Sequence, residues 1–64
     1  MSEMYESDLL IINKMDDEQL KKVDVKKYAQ SFNDSIQKGE ITSREAAKLN
    51  LILESRRRDA SKGV

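Results

Sequence analysis

Apolar residues recur at three- and four-residue steps through the middle of the chain. They are Val25, Tyr28, Ala29, Phe32 and Ile36. At 3.6 residues per turn they fall within about 100° of a helix surface, which is the width of a core-facing stripe. The spacing therefore predicts a helix over 25–38 that buries this stripe.

Gly39 marks the end of this predicted helix, because glycine readily adopts the positive φ that closes a helix. Thr42 and Glu45 follow with the spacing of a capping box, in which each side chain accepts from the backbone amide of the other. Ile41, directly before the cap, can pack on Ala46 as a hydrophobic staple. The sequence therefore predicts a helical hairpin with a short bend.

The second helix of the hairpin is predicted over 43–58, antiparallel to the first because the connection is short. One face collects most of its apolar side chains: Ala46, Leu49, Ile52, Leu53 and Ala60. Ala47 and Leu51 fall on the opposite side. Either this helix is sandwiched between the first helix and the N-terminal segment, or Ala47 and Leu51 face a partner.

A kink is predicted ahead of the hairpin. Asp16 begins a second capping-box pattern, which indicates a short helical turn over 17–22. On one continuous helix, Leu20 and Val23 would lie far from the core stripe. Asp24 can cap a new start. A break near Val23 is therefore expected, and a single long helix is the alternative.

The apolar run 9–12 fits either a buried strand or a buried helical turn. No partner strand is predicted, whereas Ser7 suits an N-cap and Asp8 suits a first turn. We therefore expect a short helix packed across the hairpin, where the run completes a thin core. The alternative is an exposed apolar segment that binds a partner.

These elements together predict an all-α fold. An antiparallel hairpin of helices at about 25–38 and 43–58 is covered by one or two short N-terminal helical segments. Residues 1–7 are expected to be a flexible acidic N-terminus, 8–60 a single helical domain and 61–64 a frayed C-terminus.

Length and composition make this fold marginal. The chain has 64 residues, of which 38% are hydrophobic, and it lacks cysteine, histidine and tryptophan. A domain of this size buries only about 60% of its unfolded surface, and neither a disulfide nor a zinc site can reinforce it. Regular helices, self-association or folding on a partner must therefore supply the stability.

Charge is balanced overall at +0 but unevenly distributed along the chain. Residues 1–18 carry six acids against Lys14 alone, whereas residues 41–64 carry an excess of three positive charges. Zero net charge gives no overall attraction to nucleic acid or to an anionic membrane. No signal peptide or membrane span is evident, so we expect a cytoplasmic protein and no membrane partner.

Enzymatic chemistry is not expected. Without histidine or cysteine the chain lacks the usual neutral-pH acid–base group and the thiol nucleophile. Its two glycines are too far apart for a phosphate-binding loop, and the acids at 16–18 lack the spacing of a calcium loop. We therefore predict no catalytic residue, no cofactor and no metal.

The C-terminal region is basic. Arg56, Arg57 and Arg58 are consecutive, so on a helix they spread around about 200° and cannot form one flat phosphate-binding stripe. One interpretation is favourable charge at a helix end, with the stems covering apolar surface. The other is contact with phosphate or with an acidic partner.

Residues 41–49 resemble the opening helix of many helix-turn-helix units, including excisionase-like ones. The resemblance covers nine residues. Such units continue with a tight turn and a recognition helix. Here the helical spacing of apolar residues continues without a turn through residues 50–55. The segment therefore resembles only the capped start of a helix.

The favoured function is a small protein-interaction or regulatory module that binds a protein partner, or a second copy of itself, through helical faces. Its expected partner-binding residues are Ala47, Leu51, Arg56, Arg57 and Arg58. A nucleic-acid-binding accessory protein using the basic C-terminal helix is the alternative. A third hypothesis is a subunit that folds only within its complex. Small helical chains of this kind are frequent in phages and mobile elements, so such an origin is expected.

Overall fold

The computed structural model describes residues 2–62, which form four helices and, within that range, no strand. The helices are α1 (Glu3–Lys14), α2 (Asp17–Lys22), α3 (Val25–Gln37) and α4 (Ser43–Lys62). The predicted all-α class is confirmed. α4 is the centre of the arrangement, because each of the other three helices contacts it.

Side-chain caps determine where α2 and α3 begin. The amide of Gln19 donates to Asp16 Oδ1 at 2.9 Å, and the reciprocal bond completes the predicted capping box. Asp24 Oδ1 accepts from the amides of Lys26 and Lys27 at 3.0 and 3.3 Å. Val23 between these helices is extended, so the predicted break is confirmed and the single long helix is excluded.

The bend between α3 and α4 is built around Gly39, whose φ is 76°. Its amide donates to the carbonyl of Ile36 at 3.0 Å, and the amide of Glu40 donates to that of Ser35 at 2.9 Å. These two bonds form a Schellman motif, which satisfies carbonyls at the end of α3. The left-handed conformation is why glycine suits this position.

α4 then starts with the predicted capping box. The Thr42 amide donates to Glu45 Oε1 at 2.9 Å, and the Glu45 amide donates to Thr42 Oγ1 at 3.1 Å. Ile41 and Ala46 are both 5% exposed, as a hydrophobic staple requires. The capping box thus sets where α4 starts, and Ile41 and Ala46 pack that start against the core.

The core lies along one face of α4. Its members come from all four helices and the bend: Tyr5, Ile12, Leu20, Phe32, Ile41, Ala46, Leu49, Leu53 and Ala60. Phe32, Leu49 and Leu53 are buried as the hairpin predicts, and Ile36 is half-buried. Ala29 is exposed, contrary to its predicted place in the stripe, because α3 packs only on α4 and buries a narrower face.

α1 is longer than the sequence predicts. It begins at Glu3, with Ser2 rather than Ser7 as its cap, and the Tyr5 amide donates to Ser2 Oγ at 3.2 Å. Tyr5 is only 5% exposed. Residues 3–7 are therefore helical, with Tyr5 in the core, and do not form a flexible terminus. Met1 lies outside the described residues.

α4 also extends further than the predicted end at residue 58. It continues to Lys62, so Ser61 and Lys62 are helical where a frayed end was predicted. Ala60, 4% exposed, packs into the core and holds this last part of the helix. The remainder of the predicted frayed end, residues 63–64, lies outside the described residues.

α1 and α3 run in opposite directions along α4. Ser2, at the start of α1, donates to Glu45 near the start of α4, and Arg56 further along α4 donates to the carbonyl of Met15 just after α1. α1 is therefore parallel to α4. α3 starts beside Arg57 and Arg58 and returns antiparallel to α4, as predicted.

Candidate partner-binding surface

The two faces of α4 differ sharply in exposure. Leu49 and Leu53 are 0% exposed, whereas Leu51 between them is 69% exposed. The position of Leu51 is about 180° around the helix from the buried pair, given 3.6 residues per turn. Ala47 is exposed as well. α4 thus lies between α3 and the N-terminal helices, as the first alternative predicts, but these helices leave Ala47 and Leu51 exposed.

Leu51 lies at the middle of a surface that we call the outer face of α4. Its members are all exposed and fall within about 100° of arc: Arg44, Ala47, Lys48, Leu51, Ser55, Arg58 and Lys62. From Arg44 to Lys62 it runs about 27 Å at 1.5 Å per residue. The signal for it in the sequence was the three- and four-residue spacing of these positions.

The outer face is positively charged along its whole length. Four of its seven members are lysine or arginine and none is acidic. Glu54 and Asp59, the nearest carboxylates on α4, fall outside the arc on either margin. The surface therefore combines one large exposed apolar side chain with cations before and after it.

Arg56 does not belong to this surface, although the sequence placed it among the partner-binding residues. Its Nη2 donates to the carbonyl oxygen of Met15 at 2.9 Å, and its Nε is buried without a partner. A cation at this carbonyl favours the C-terminal end of α1. The role of Arg56 in the structure is thus to hold α1 against α4.

The three consecutive arginines therefore point to three different places. Arg58 lies on the outer face, and Arg57 is exposed beside the turn between α2 and α3. There it lines an open groove of about 470 Å³ together with Lys21, Lys22 and Lys26. Three helices thus contribute cations to this groove, which we call the basic groove.

A second exposed apolar pair lies on α1. Leu10 is 55% and Ile11 is 50% exposed, whereas Ile12 is buried at 1% and Leu9 is half-buried. The run 9–12 thus divides between the two roles predicted for it. Leu10 and Ile11 are about 100° apart on the helix.

Two carboxylates have shifted pKa values. The Thr42 amide, with further hydrogen bonds from Ser2 and the Thr42 hydroxyl, lowers the pKa of Glu45 against a smaller opposing effect of burial. Burial raises the pKa of Asp8, and the nearby carboxylate of Glu40 adds to the rise. Both groups lie where α1 meets α4 or the bend, so they report on the packing of α1.

Within residues 2–62 no three acidic side chains come together in a way that could hold a metal ion. None of the four described helices is both long and apolar enough to cross a membrane.

In comparisons with known proteins, no family model, curated protein or solved structure matches this chain. The short resemblance of residues 41–49 to a helix-turn-helix start ends within α4, which continues unbroken to Lys62. No recognition helix follows that start in the described residues. The exposed helix faces and the basic groove are therefore the features from which its function can be inferred.

Proposed function

We propose that this protein is a small, non-enzymatic interaction module that binds a protein partner through the outer face of α4. The observation that carries the proposal is the 69% exposure of Leu51 at the centre of the helix that organises the core. At that exposure most of this large apolar side chain contributes nothing to the core. Burial against a partner would give it a role.

The energetics favour such a role. Full burial of a leucine side chain is worth roughly 1.5–3 kcal/mol, so docking would recover about two-thirds of that, or about 1–2 kcal/mol, for Leu51. Ala47, one turn before it, allows a partner backbone to approach closely. This is the pattern of an apolar anchor set within a polar rim.

α4 is also well suited to present a binding surface. Three helices hold its inner face, and side-chain caps fix its start. A surface that is already ordered loses little conformational entropy on binding. Recognition of one helical face by a partner's groove or helix is a common mode of protein association.

A photo-crosslinking amino acid placed at position 51 tests this proposal in cells that express the protein. The matched control carries the same group at Gln30, which is exposed on α3 away from α4's outer face. We expect a discrete protein adduct from position 51 and none from position 30. Equal adduct patterns at both positions, or no adduct at either, would contradict a partner site on α4.

Nucleic-acid binding is the second candidate, and the basic groove favours it. Lys21, Lys22, Lys26 and Arg57 converge there from three helices, and cations that neutralise phosphates give salt-dependent affinity. Titration with duplex and single-stranded DNA at low salt tests it, with K26E/R57E as the disabling variant. Absence of binding at low salt, or equal binding by the variant, removes this candidate.

A further inference from the structure

We infer that the partner segment bound by the outer face of α4 is an acidic amphipathic helix. This inference rests on the proposed function and specifies its ligand. It follows from how the cations are placed around Leu51 and from what each class of occupant would bring opposite them. The three classes compared are a second copy of this chain, a nucleic acid and an acidic protein helix.

Two of the cations are placed symmetrically about the apolar centre. Arg44 and Arg58 each lie seven residues from Leu51 on the same face, which corresponds to about 10 Å before and after it along the helix. Lys48 and Lys62 lie in the same arc without such a counterpart, since the residue three positions after Leu51 is Glu54. A helical ligand would therefore meet apolar surface in the middle and positive charge at both ends, whichever direction it runs.

A second copy bound face to face is disfavoured by this symmetry. In an antiparallel pair centred on Leu51, Arg44 of one copy would lie opposite Arg58 of the other, and the attraction of Lys48 for Glu54 would offset this repulsion only in part, because each face carries a net positive charge. In a parallel pair, each arginine would lie opposite its own counterpart. Like charges set opposite each other across an interface cost free energy and disfavour that partner.

A nucleic acid is disfavoured by Leu51 itself. Phosphate oxygens suit the four cations, but they would surround a leucine that gains only from apolar contact. The face also carries no asparagine, glutamine or aromatic side chain, so it lacks several of the groups that read or stack on bases. The basic groove, which has no exposed leucine, is the better surface for phosphates.

An acidic amphipathic helix satisfies both parts of the surface. Its apolar residue would cover Leu51 beside the small side chain of Ala47. Carboxylates about two turns before and after that residue would then lie level with Arg44 and Arg58. Charge complementarity of this kind raises the association rate and selects the partner, while the apolar contact contributes affinity.

The probe for this inference is a synthetic helical peptide of about 20 residues, built on the spacing of the outer face. It carries leucine at its centre and glutamate seven residues to either side, on one face of an otherwise alanine- and glutamine-rich helix. Two matched peptides carry glutamine or lysine in place of the glutamates. Binding is followed by NMR titration of the labelled full chain, which shows where the peptide contacts it.

We expect the glutamate peptide to perturb amide signals along the outer face. R44E/R58E should weaken this binding by about tenfold or more, because two charge pairs become repulsive. Leu51→Ser should weaken it by about tenfold as well, as for a central apolar anchor. K14E/K27E makes the same change in net charge at exposed positions of α1 and α3 and should leave the affinity within about twofold.

Four results of the peptide experiment would overturn the inference, and so would two results of separate measurements. They are equal binding of the glutamine peptide, no binding of the glutamate peptide, signals perturbed elsewhere, and R44E/R58E binding as tightly as the unaltered chain. Preferential binding of a DNA duplex to this face would overturn it in favour of nucleic acid. Sedimentation showing self-association abolished by Leu51→Ser would overturn it in favour of a second copy.

Failure here is distinguishable from failure of the proposed function. If position 51 crosslinks a cellular protein, and that adduct also forms undiminished in R44E/R58E, a partner binds α4 without needing its cations. The proposed function then stands and the acidic ligand is rejected. If position 51 crosslinks nothing beyond the Gln30 control, the proposed function fails first.

Discussion

Replacement of Leu53 by alanine should largely unfold the protein, whereas the same change at Leu51 should not. Leu53 is 0% exposed, so the change removes three buried carbons at about 0.8 kcal/mol each, or about 2.4 kcal/mol. The remaining cavity raises the total to about 3–5 kcal/mol. Leu51 is already 69% exposed, so only about a third of its side chain is buried. Leu51→Ala should therefore lower the free energy of unfolding by at most about a third of 2.4 kcal/mol, or about 0.7 kcal/mol.

The magnitude matters because a single small core rarely supplies more than about 3–5 kcal/mol in total. A loss of about 3 kcal/mol lowers the folding equilibrium constant by roughly two orders of magnitude. Leu53→Ala should therefore show little helical signal at room temperature, and Leu51→Ala should keep nearly all of it. Alanine is a slightly better helix former than leucine, which reduces the expected loss at position 51 further.

Urea unfolding followed by far-UV circular dichroism measures both variants beside the unaltered chain. The midpoint of Leu51→Ala should lie close to that of the parent, with an unchanged slope. The reasoning is refuted if Leu53→Ala stays within about 1 kcal/mol of the parent, well below the usual penalty for a buried leucine. It is also refuted if the two variants are equally destabilised, because α4 would then have no distinct inner and outer face.

Further variants test the bend, the α1 contact and the pH dependence. Thr42→Ala should cost about 1 kcal/mol by removing the cap of α4, and Gly39→Ala about 1–2 kcal/mol by forcing alanine into the left-handed region, both measured by urea unfolding. Arg56→Met should cost about 1 kcal/mol through the lost bond to Met15, whereas Arg57→Met should cost less than about 0.5 kcal/mol; equal effects would argue against that contact. The folded-state pKa of Asp8 is raised, so its ionised form opposes folding above that pKa and the effect vanishes below the unfolded value. Asp8→Asn should therefore increase stability at pH 7 and leave it unchanged near pH 3, and a thermal melt at each pH checks both.

The hairpin could be predicted because local chemistry determines it. Asp24, Thr42 and Gly39 act on backbone groups within a few residues, so their roles follow from spacing alone. The burial of Phe32, Leu49 and Leu53 follows equally from helix periodicity. Both kinds of feature can be predicted without knowing which helices pack against one another.

The start of α1 could not be predicted in the same way. Ser2 and Ser7 are equally good caps by residue type. The choice of Ser2 is favoured by a tertiary contact, in which its amide and hydroxyl donate to Glu45 at 3.4 and 3.5 Å. Burial of Tyr5 adds to it. The Ser2–Glu45 contact joins residues 43 positions apart, and local patterns do not contain such a contact.

The same limit explains why the sequence could not distinguish the roles of the three arginines. On α4 alone, Arg56 has no feature that separates it from Arg57 or Arg58. The parallel docking of α1 brings the carbonyl of Met15 to Arg56, and the antiparallel return of α3 brings the basic groove to Arg57. Arg58 is exposed and, of the three arginines, is the one that shares the outer face with Leu51, at the edge of the groove beside the start of α3. The helices packed beside α4 therefore determine which of its cations remain available at the surface. The cations that share a face with Leu51 are those spaced from it by approximately whole turns of the helix.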